Sequence, residues 1–295
     1  MKNNSKKYIP YILITPVLLV ILLFYAYPII MILIQSFNKV SIVDNNYTFI
    51  GLDNFTNFFN DGTFRFTLLL TLKYTVITVT LKLIIGFSMA LVLNSETYFN
   101  KTLRFLTLIP WTIQQVSVAV IWKWIFDGNY GYLNYILLKL GLIEKNMLWL
   151  SDPKLALISA SIVDTWLGIS FVSMIFLAAL NSIDKSLYES SKIDGANSIQ
   201  SFRHITIPSI KKVFIITGTL VSIWTFNSFN VIYVLTRGGP MRKTETFVIR
   251  IYQEAFEKFN IGSSSAISVI VFLLLLLLTV VYIKLIFNKD GENLQ

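Results

Sequence analysis

The sequence has no cysteine, only one histidine and few charged residues, and each shortage removes a class of function. Without cysteine, none of the 295 residues can form a disulfide or a thiolate metal site. The single histidine, His204, excludes a multi-histidine metal cluster and argues against a Ser-His-Asp triad. Only 14% of residues are charged, against about 25% in soluble globular proteins. These shortages disfavour a soluble enzyme and direct attention to the membrane.

Apolar sequence takes the place of charge: 55% of residues are hydrophobic and the mean hydropathy is +0.65. A net charge of +9 could indicate nucleic-acid binding in a soluble protein. Here the basic residues flank apolar runs, which fits the anionic cytoplasmic leaflet better. The run between Lys7 and Lys39 is free of charge and about twice the roughly 7–15 residues of a signal peptide's apolar region. We therefore interpret it as a retained first span.

Six segments satisfy the requirement of about 20 mostly apolar residues for a membrane-spanning helix. The predicted fold class is all-α, a polytopic membrane protein whose transmembrane domain covers 9–283 between a short N-terminus, 1–8, and a tail, 284–295. An even number of spans places both termini on one side of the membrane. The predicted spans are 9–35, 66–93, 105–126, 155–180, 213–236 and 263–283.

The distribution of Lys and Arg predicts which side is cytoplasmic. The side with both termini and the loops 94–104 and 181–212 holds 12 Lys and Arg in 63 residues, against 10 in 84 on the other. Because basic residues are enriched in cytoplasmic loops, we expect the termini and the 181–212 loop in the cytoplasm of a multi-pass cell-membrane protein. On the outer side, the breaker signals Asp-Gly-Asn at 127–129 and Arg-Gly-Gly-Pro at 237–240 end the third and fifth spans.

The loop between the fourth and fifth spans has a pattern of its own. It predicts a short polar helix at about 185–193, a turn at Asp194-Gly195, and a second helix capped by Ser198. Together these elements would form a helix-turn-helix bracket that projects into the cytoplasm. The alternative is a plain solvated loop.

The second helix of this bracket is predicted to be amphipathic. Ile199, Phe202 and Ile205 recur at i, i+3 and i+6, so one apolar face could lie along the membrane surface. Pro208 is expected to end this helix before the next span. His204 would be a surface histidine near the lipid headgroups.

Polar and aromatic residues recur on one face of three predicted spans. Polar groups inside a membrane usually face a partner or a cavity because exposing them to lipid is costly. An aromatic ring can stack on the apolar face of a sugar, while hydroxyl, amide and carboxylate groups can bind its hydroxyls. We therefore predict a substrate site here. Its candidate residues are Asp164, Gly168 and Phe171 in span four, Trp224, Thr225, Asn227 and Ser228 in span five, and Trp111 and Gln115 in span three.

Each of these residues also has a structural explanation. Aromatic residues in spans often serve as packing or interface anchors, and Thr225 and Ser228 could hydrogen-bond within or between helices. Asp164 could pair with Lys73, Lys82 or Lys123 rather than bind substrate. Lys73 and Lys82 are nine residues apart, about 180° around a helix, so they cannot both face one site.

The bracket resembles the cytoplasmic coupling motif of ATP-binding-cassette import permeases. That motif begins Glu-Ala-Ala, continues through Asp-Gly-Ala and ends Ile-x-Leu-Pro. Here the matching residues read ESS at 189–191, DGA at 194–196 and ITIP at 205–208. The stretches "FIGLDNFTNFF", "WLSDP" and "VLTRGGP" resemble the carbohydrate branch, specifically six-span relatives of the larger maltose-transporter membrane subunit. Departures from the motif are Ser190 and Ser191 for alanine, Asp184 for proline, and Lys211 and Lys212 where prolines are common.

The resemblance implies an ATP-driven sugar importer. The bracket would dock in a groove on a separate ATPase subunit through residues that match the motif. These coupling residues are Glu189, Ser190, Ser191, Asp194, Gly195, Ala196 and Pro208.

The resemblance also implies several partners: a second permease subunit, two ATPase subunits and an external binding protein, received by outer loops that include Arg237–Met241. The chain has no phosphate-binding loop of the G-x-x-x-x-G-K-[ST] type. It is therefore expected to bind no cofactor, and the partner ATPases would use ATP and Mg²⁺.

Three other functions compete with this one. An ion-coupled secondary transporter for a small polar solute would need intramembrane carboxylates and often inverted repeats, whereas Asp164 is the only acid deep in a span. A scaffold or receptor would leave the bracket unexplained. A membrane-embedded enzyme is weaker still, since the chain offers one histidine, no cysteine and one buried acid.

Overall fold

The computed structural model describes residues 5–41, 46–95 and 100–287, and this part of the chain is mostly helical. Residues 1–4 of the predicted N-terminus and 288–295 of the predicted tail lie outside the described residues. Up to the fourth long helix, the elements are α1 (Ser5–Ile21), a π turn (Leu22–Ala26), α2 (Tyr27–Ser36), β1 (Asn38–Ser41), β2 (Asn46–Phe49), α3 (Asp53–Asn60), α4 (Thr63–Asn94), α5 (Asn100–Thr112), α6 (Gln115–Ile125), α7 (Tyr132–Lys139) and α8 (Ala156–Asn181). They continue with α9 (Lys185–Ile193), α10 (Ser198–Ser201), a π turn (Phe202–Thr206), α11 (Ile207–Phe226), α12 (Asn230–Thr236), α13 (Phe247–Tyr252), a π turn (Gln253–Glu257) and α14 (Ile261–Phe287).

The all-α prediction missed one small sheet. Strands β1 and β2 pair antiparallel, with Asn38 opposite Phe49 and Ser41 opposite Asn46. Val40 and Tyr47, which face each other in this register, are residue types that favour strands. The search for runs of about 20 apolar residues could not detect a strand of four residues.

Within the described residues, five helices are long and apolar enough to cross a membrane, and a sixth crossing results if one bent pair forms a single span. The five are Leu13–Ser36, Thr63–Asn94, Ala156–Asn181, Ser198–Phe226 and Ile261–Lys284.

The bent pair occupies the third predicted span, 105–126, which is not one straight helix. Thr102–Thr112 and Gln115–Ile125 meet at an angle of 96°. Gln114 is extended, with φ −60° and ψ 134°, and stands at the start of α6. Pro110 has no N–H to donate, which weakens the last turn of α5 before this break.

The fifth predicted span, 213–236, is displaced in the structure. Its helix begins fifteen residues earlier, at Ser198, and ends at Phe226, while Asn230–Thr236 form the separate helix α12. The Asn227 amide donates to the Ile223 carbonyl at 2.9 Å. Short polar side chains compete in this way with the helical pattern and favour helix ends, which explains why the apolar run does not continue.

The chain divides into two units: residues up to 65 with 250–274, and 66–249 with residues from 275 onward. In the first, the Asn54 amide donates to the carbonyl oxygens of Ser36 and Asn38 at 2.9 and 3.0 Å. Arg250 and Lys258 both pair with the buried Glu254, at 2.9 and 2.8 Å. These contacts hold the hairpin region and the segment around α13 in place.

The second unit contains two apolar cores. One gathers buried residues such as Tyr74, Val163 and Ile232. The other surrounds Val172 and Phe176 where α4 crosses α8. The crossing is close because of Gly86: a Cβ there would lie 2.6 Å from Val172 Cγ1 and 3.3 Å from the Ser173 backbone nitrogen.

We predict that Gly86→Ala destabilises the purified protein, because the new methyl group overlaps the Val172 side chain and crowds the Ser173 backbone nitrogen. Overpacking of this kind costs about 1–3 kcal/mol, which should lower the thermal unfolding midpoint in detergent. Gly218→Ala is the matched control, because the nearest atom to its added Cβ is Leu83 Cδ1 at an ordinary 3.6 Å. A midpoint for Gly86→Ala at or above that of the unsubstituted protein would contradict this account of the crossing.

Candidate functional site

A cavity of about 480 Å³ lies in the second unit, between the bent pair α5–α6 and the helices α4, α8 and α11. Its volume is within the range of small-molecule sites, about 300–1,000 Å³. The residues predicted from the sequence converge on it, since eight of the nine line its wall. They are Trp111, Gln115, Asp164, Gly168, Phe171, Trp224, Asn227 and Ser228. Thr225, the ninth, lies beside the lining residue Lys82.

Four aromatic side chains line this cavity, and three of them, Trp111, Phe171 and Trp224, lie close together. The ring centroids of Phe171 and Trp224 are 4.8 Å apart, and those of Trp111 and Phe171 are 6.0 Å apart. These separations are typical of aromatic pairs. Trp111 and Trp224 each keep more than half of their surface exposed. The cavity therefore offers ring surface on which an apolar ligand face can stack.

The cavity wall also contains an ion pair, which contrasts with the aromatic side chains. Lys82 Nζ lies 3.2 Å from Asp164 Oδ1, and both residues line the cavity while being more than nine-tenths buried. Of the three lysines considered as partners for Asp164, the structure pairs it with Lys82, while Lys73 and Lys123 are exposed. The pair joins α4 to α8.

Hydroxyl groups fix both ends of this ion pair. Lys82 Nζ donates to Thr225 Oγ1 at 2.9 Å, which connects the pair to α11. The Tyr74 hydroxyl donates to Asp164 Oδ2 at 2.9 Å and lies 3.4 Å from Ser228 Oγ. Tyr74 is 1% exposed, so its hydroxyl depends on these partners. Three helices thus contribute to one polar network.

Gly168 provides the space that this network needs. A Cβ built at Gly168 would lie 2.5 Å from Lys82 Cε and 2.7 Å from Cδ. The lysine stem therefore crosses α8 directly over the glycine. Gly168 was predicted to face the substrate, and it does line the cavity. Its close packing against Lys82 also requires a residue without a side chain at this position.

Two members of the network, Tyr74 and Lys82, were missing from the predicted site. A signal for them was present in α4, where buried polar residues recur at helical spacing. This stripe comprises Thr67, Thr71, Tyr74, Thr78 and Lys82. Lys82 was considered only as an alternative partner for Asp164, and a tyrosine in an apolar helix resembles ordinary packing.

The bracket between α8 and α11 contains the predicted turn. The N–H groups of Gly195 and Ala196 donate to the carbonyls of Lys192 and Ser191 at 3.1 and 2.9 Å, the pattern of a Schellman helix end. Gly195 has φ +80°, a left-handed conformation that strains any residue with a side chain. Asp194, with its neighbours in this turn, is exposed.

Two departures from the family motif have structural roles in the bracket. Asp184, where the family commonly has proline, caps α9 by accepting the Ser186 N–H at 2.9 Å. That backbone hydrogen bond, with one from the Ser186 side chain, holds the pKa of Asp184 below its usual value. Ser191, where the family has alanine, places its hydroxyl 3.1 Å from that of Ser201. A Tyr188–Thr206 contact of 2.8 Å between hydroxyls adds a second tie between α9 and the following helix.

The predicted cap of the second helix is wrong by one residue. Asn197 is the N-cap: it accepts the Gln200 N–H at 2.9 Å, and Gln200 Oε1 accepts the Asn197 N–H at 2.8 Å. This reciprocal pair is a capping box. Ser198 is the first residue of α10.

The same helix does not end at Pro208, and it is not a separate surface helix. It runs unbroken from Ser198 to Phe226. A π turn at Phe202–Thr206 precedes the proline, and the Ile207 N–H bonds to the Phe202 carbonyl, five residues back. The wider turn accommodates the proline ring and its missing donor without breaking the helix. The predicted apolar face of this helix is only partly buried. The ring centroids of Phe202 and Phe87 are 6.2 Å apart in a stacked arrangement, whereas Ile199 is 77% exposed.

The remaining motif residues of the bracket present an accessible surface. Glu189 and Ser190 are exposed on α9, and Ala196 is half-buried. Ile193, on the same helix, is 86% exposed. The side chains of Glu189 and Ser190 are therefore accessible at the surface of the bracket.

Comparison with known proteins identifies the family. The family of binding-protein-dependent transport system inner membrane components matches residues 82–289. The chain is 34% identical over 277 residues to the trehalose/maltose transport system permease protein MalF of Thermococcus litoralis, covering 93% of this chain and 92% of that protein. It is 31% identical over 280 residues to the sulfoquinovosyl glycerol transport system permease protein SmoG of Agrobacterium fabrum, with coverages of 95% and 90%.

A solved structure shares the fold. A chain of a bacterial ABC transporter involved in the import of the acidic polysaccharide alginate superposes with a TM-score of 0.82. The match covers 96% of this chain and 98% of that chain at 21% identity.

The family match and these relatives define a membrane permease of the ATP-binding-cassette importer class. The chain belongs to the family of binding-protein-dependent transport system inner membrane components. The resemblance drawn from the motif is thereby confirmed, as is the expectation of a transport subunit rather than an enzyme. Family membership also decides against the secondary transporter and the scaffold.

We predict that Lys82→Met sharply lowers thermal stability, because it leaves the Asp164 carboxylate buried without its counter-charge. Removing one partner of a buried ion pair costs about 3–5 kcal/mol. Adding Asp164→Leu should recover much of the loss, since the double variant buries no charge. The readout is the unfolding midpoint in detergent, with Lys73→Met as the control because Lys73 is exposed on the same helix. Equal midpoints for Lys82→Met and Lys73→Met would contradict the pairing.

Proposed function

We propose that this chain is the permease subunit through which an ATP-driven importer moves a sugar or oligosaccharide across the cell membrane. The observation that carries the proposal is the cavity, where Phe171 and Trp224 lie close to the hydroxyl, amide and carboxylate groups of neighbouring helices. Ring faces and hydrogen-bonding groups in one site of about 480 Å³ suit a sugar, which has apolar faces and polar edges. The sugar-transport names of MalF and SmoG support the same substrate class.

The bracket is the proposed contact for the ATPase subunits. Two observations support this role: Glu189 and Ser190 are exposed and therefore accessible to a partner, and Gly195 closes the turn between the two helices of the bracket. Its position fits the cytoplasmic side that the Lys and Arg distribution favours, together with both termini. The second helix of the bracket is the start of the long helix Ser198–Phe226, so movement of the bracket would reorient that helix. ATP and Mg²⁺ would be bound by the ATPase subunits, and none by this chain.

The proposed assembly contains a second permease, two ATPase subunits and an external binding protein that delivers the substrate. A solved alginate transporter in complex with its periplasmic protein, at a TM-score of 0.82, supports such an arrangement for this fold. The segment Arg237–Met241 is proposed as part of the receiving surface. Arg237 and Met241 both have positive φ, and Met241 is 80% exposed. The Arg242–Glu245 pair at 2.7 Å steadies the loop.

We predict that Glu189→Lys and Gly195→Asp each abolish substrate uptake while the protein remains in the membrane. The first reverses the charge of an exposed contact residue, and the second strains a turn at φ +80°. Uptake by cells and the membrane level of the chain are measured together. Gly141→Asp is the matched control, because Gly141 has φ +68° and equally open surroundings but lies outside the bracket. Undiminished uptake by both bracket variants would refute the coupling role.

We predict that Asp164→Asn and Trp224→Ala impair uptake and substrate-stimulated ATP hydrolysis by the reconstituted importer. Trp224→Ala removes one ring of the aromatic wall, and Asp164→Asn removes the carboxylate of the polar network. Trp124→Ala serves as a control, because Trp124 is 83% exposed and does not line this cavity. Full activity of both cavity variants would make the polar and aromatic face purely structural.

A further inference from the structure

Lys82 and Asp164 supply all the formal charge of the cavity. Among the residues that line it in the described part of the chain, every other side chain is uncharged at neutral pH. The two charges are opposite and 3.2 Å apart, so the wall is polar but electrically balanced. A buried ion pair is a costly device for stability alone, since apolar residues of similar size often serve as well. Its place in a cavity wall therefore calls for a functional explanation.

The network uses only part of the hydrogen-bonding capacity of this pair. An ammonium has three N–H donors, and within the described residues those of Lys82 reach two acceptors, Asp164 and Thr225. A carboxylate accepts at about four lone-pair positions, and Asp164 receives donors from Lys82 and Tyr74. One donor and further acceptor positions are left to a ligand. Because both residues line the cavity, a ligand can reach them side by side.

Several residues fix the position of the Lys82 ammonium group. Gly168 leaves room for the lysine stem, since a Cβ there would lie 2.5 Å from Lys82 Cε. Thr225 on α11 and Asp164 on α8 bind the Lys82 ammonium, and the Tyr74 hydroxyl on α4 donates to the Asp164 carboxylate. Phe171 lines the same cavity. The wall around a sugar bound in this cavity would therefore contain both an aromatic ring and the ion pair.

We propose that the Lys82–Asp164 ion pair determines specificity: it selects an uncharged sugar with two neighbouring hydroxyls and disfavours sugars that carry a carboxylate. This inference rests on the proposed function. One hydroxyl accepts from the ammonium and its neighbour donates to the carboxylate. A ligand carboxylate would lose its hydration at a pair whose ammonium is already neutralised by Asp164, so no net positive charge would offset that loss. The fold does not impose this choice, because a transporter of the same fold imports the acidic polysaccharide alginate.

The test compares matched sugars in the complete importer, reconstituted in liposomes with its binding protein. The probes are maltose, trehalose and cellobiose, each beside its analogue with one C6 alcohol oxidised to a carboxylate. Each sugar is supplied at a concentration that saturates the binding protein, and initial uptake is measured. Because the same binding protein delivers both members of a pair to every variant, a changed acidic-to-neutral ratio arises in the membrane complex.

The unsubstituted importer should favour the neutral member of each transported pair by about tenfold or more, and charge variants should shift the ratio in opposite directions. Asp164→Asn leaves a positive cavity and should raise the acidic-to-neutral ratio about tenfold, whereas Lys82→Gln leaves a negative one and should lower it. The double variant Lys82→Gln/Asp164→Asn restores neutrality, so its ratio should return toward the original while its KM for the neutral sugar rises. Lys73→Gln, an exposed lysine on α4, should change nothing.

Equal uptake of acidic and neutral members by the unsubstituted importer would overturn the inference, whatever the variants do. A ratio that stays constant across all variants that assemble would overturn it as well, while leaving the proposed sugar transport intact. If the single variants fail to assemble, an unchanged KM in the double variant overturns it and a raised KM supports it. An importer that takes up none of these sugars but takes up an amino acid would overturn the proposed function and this inference together.

Discussion

The ion pair between Lys82 and Asp164 is the constraint on which the candidate site depends. Placing a lysine or an aspartate at the centre of a membrane-spanning helix costs about 2.5–3.5 kcal/mol on insertion scales. The protein offsets this cost by pairing the two charges at 3.2 Å and adding hydroxyl partners from Tyr74 and Thr225. The small residue Gly168 makes the pairing possible, because it leaves the lysine stem a path across α8. Without the pair, three helices would lose their common polar contact.

The long helix Ser198–Phe226 connects the bracket to the cavity. It spans 29 residues, about 43 Å at the usual rise per residue. Near its beginning, Ser201 and Thr206 contact α9 through hydroxyl pairs. Near its end, Thr225 accepts from Lys82 and Trp224 lines the cavity. Because Pro208 is accommodated by a π turn and does not interrupt the helix, no loop separates the bracket from the site along this part of the chain.

The sequence predicted the cavity better than it predicted the helices that form it. Residues such as Asp164 and Phe171 could be found because helical spacing alone places them on one face of a continuous helix. Lys82 and Tyr74 were missed because their roles depend on which helices become neighbours, and one chain's periodicity does not contain that information. The bend of 96° after Thr112 was missed for a related reason: hydropathy measures apolar length and is blind to an extended residue such as Gln114. Pro208 shows the same limit, since a local helix breaker was accommodated by a π turn.

The most direct test of the central claim is a structure of the assembled importer trapped with its sugar by a hydrolysis-deficient ATPase partner. We expect sugar density in the cavity of this chain, with a ring face against Phe171 or Trp224 and hydroxyls within hydrogen-bonding distance of Lys82 Nζ and the Asp164 carboxylate. We also expect α9 to be seated in the ATPase subunit. Sugar density confined to the partner permease, with this cavity holding only water and the ion pair unchanged, would contradict this claim.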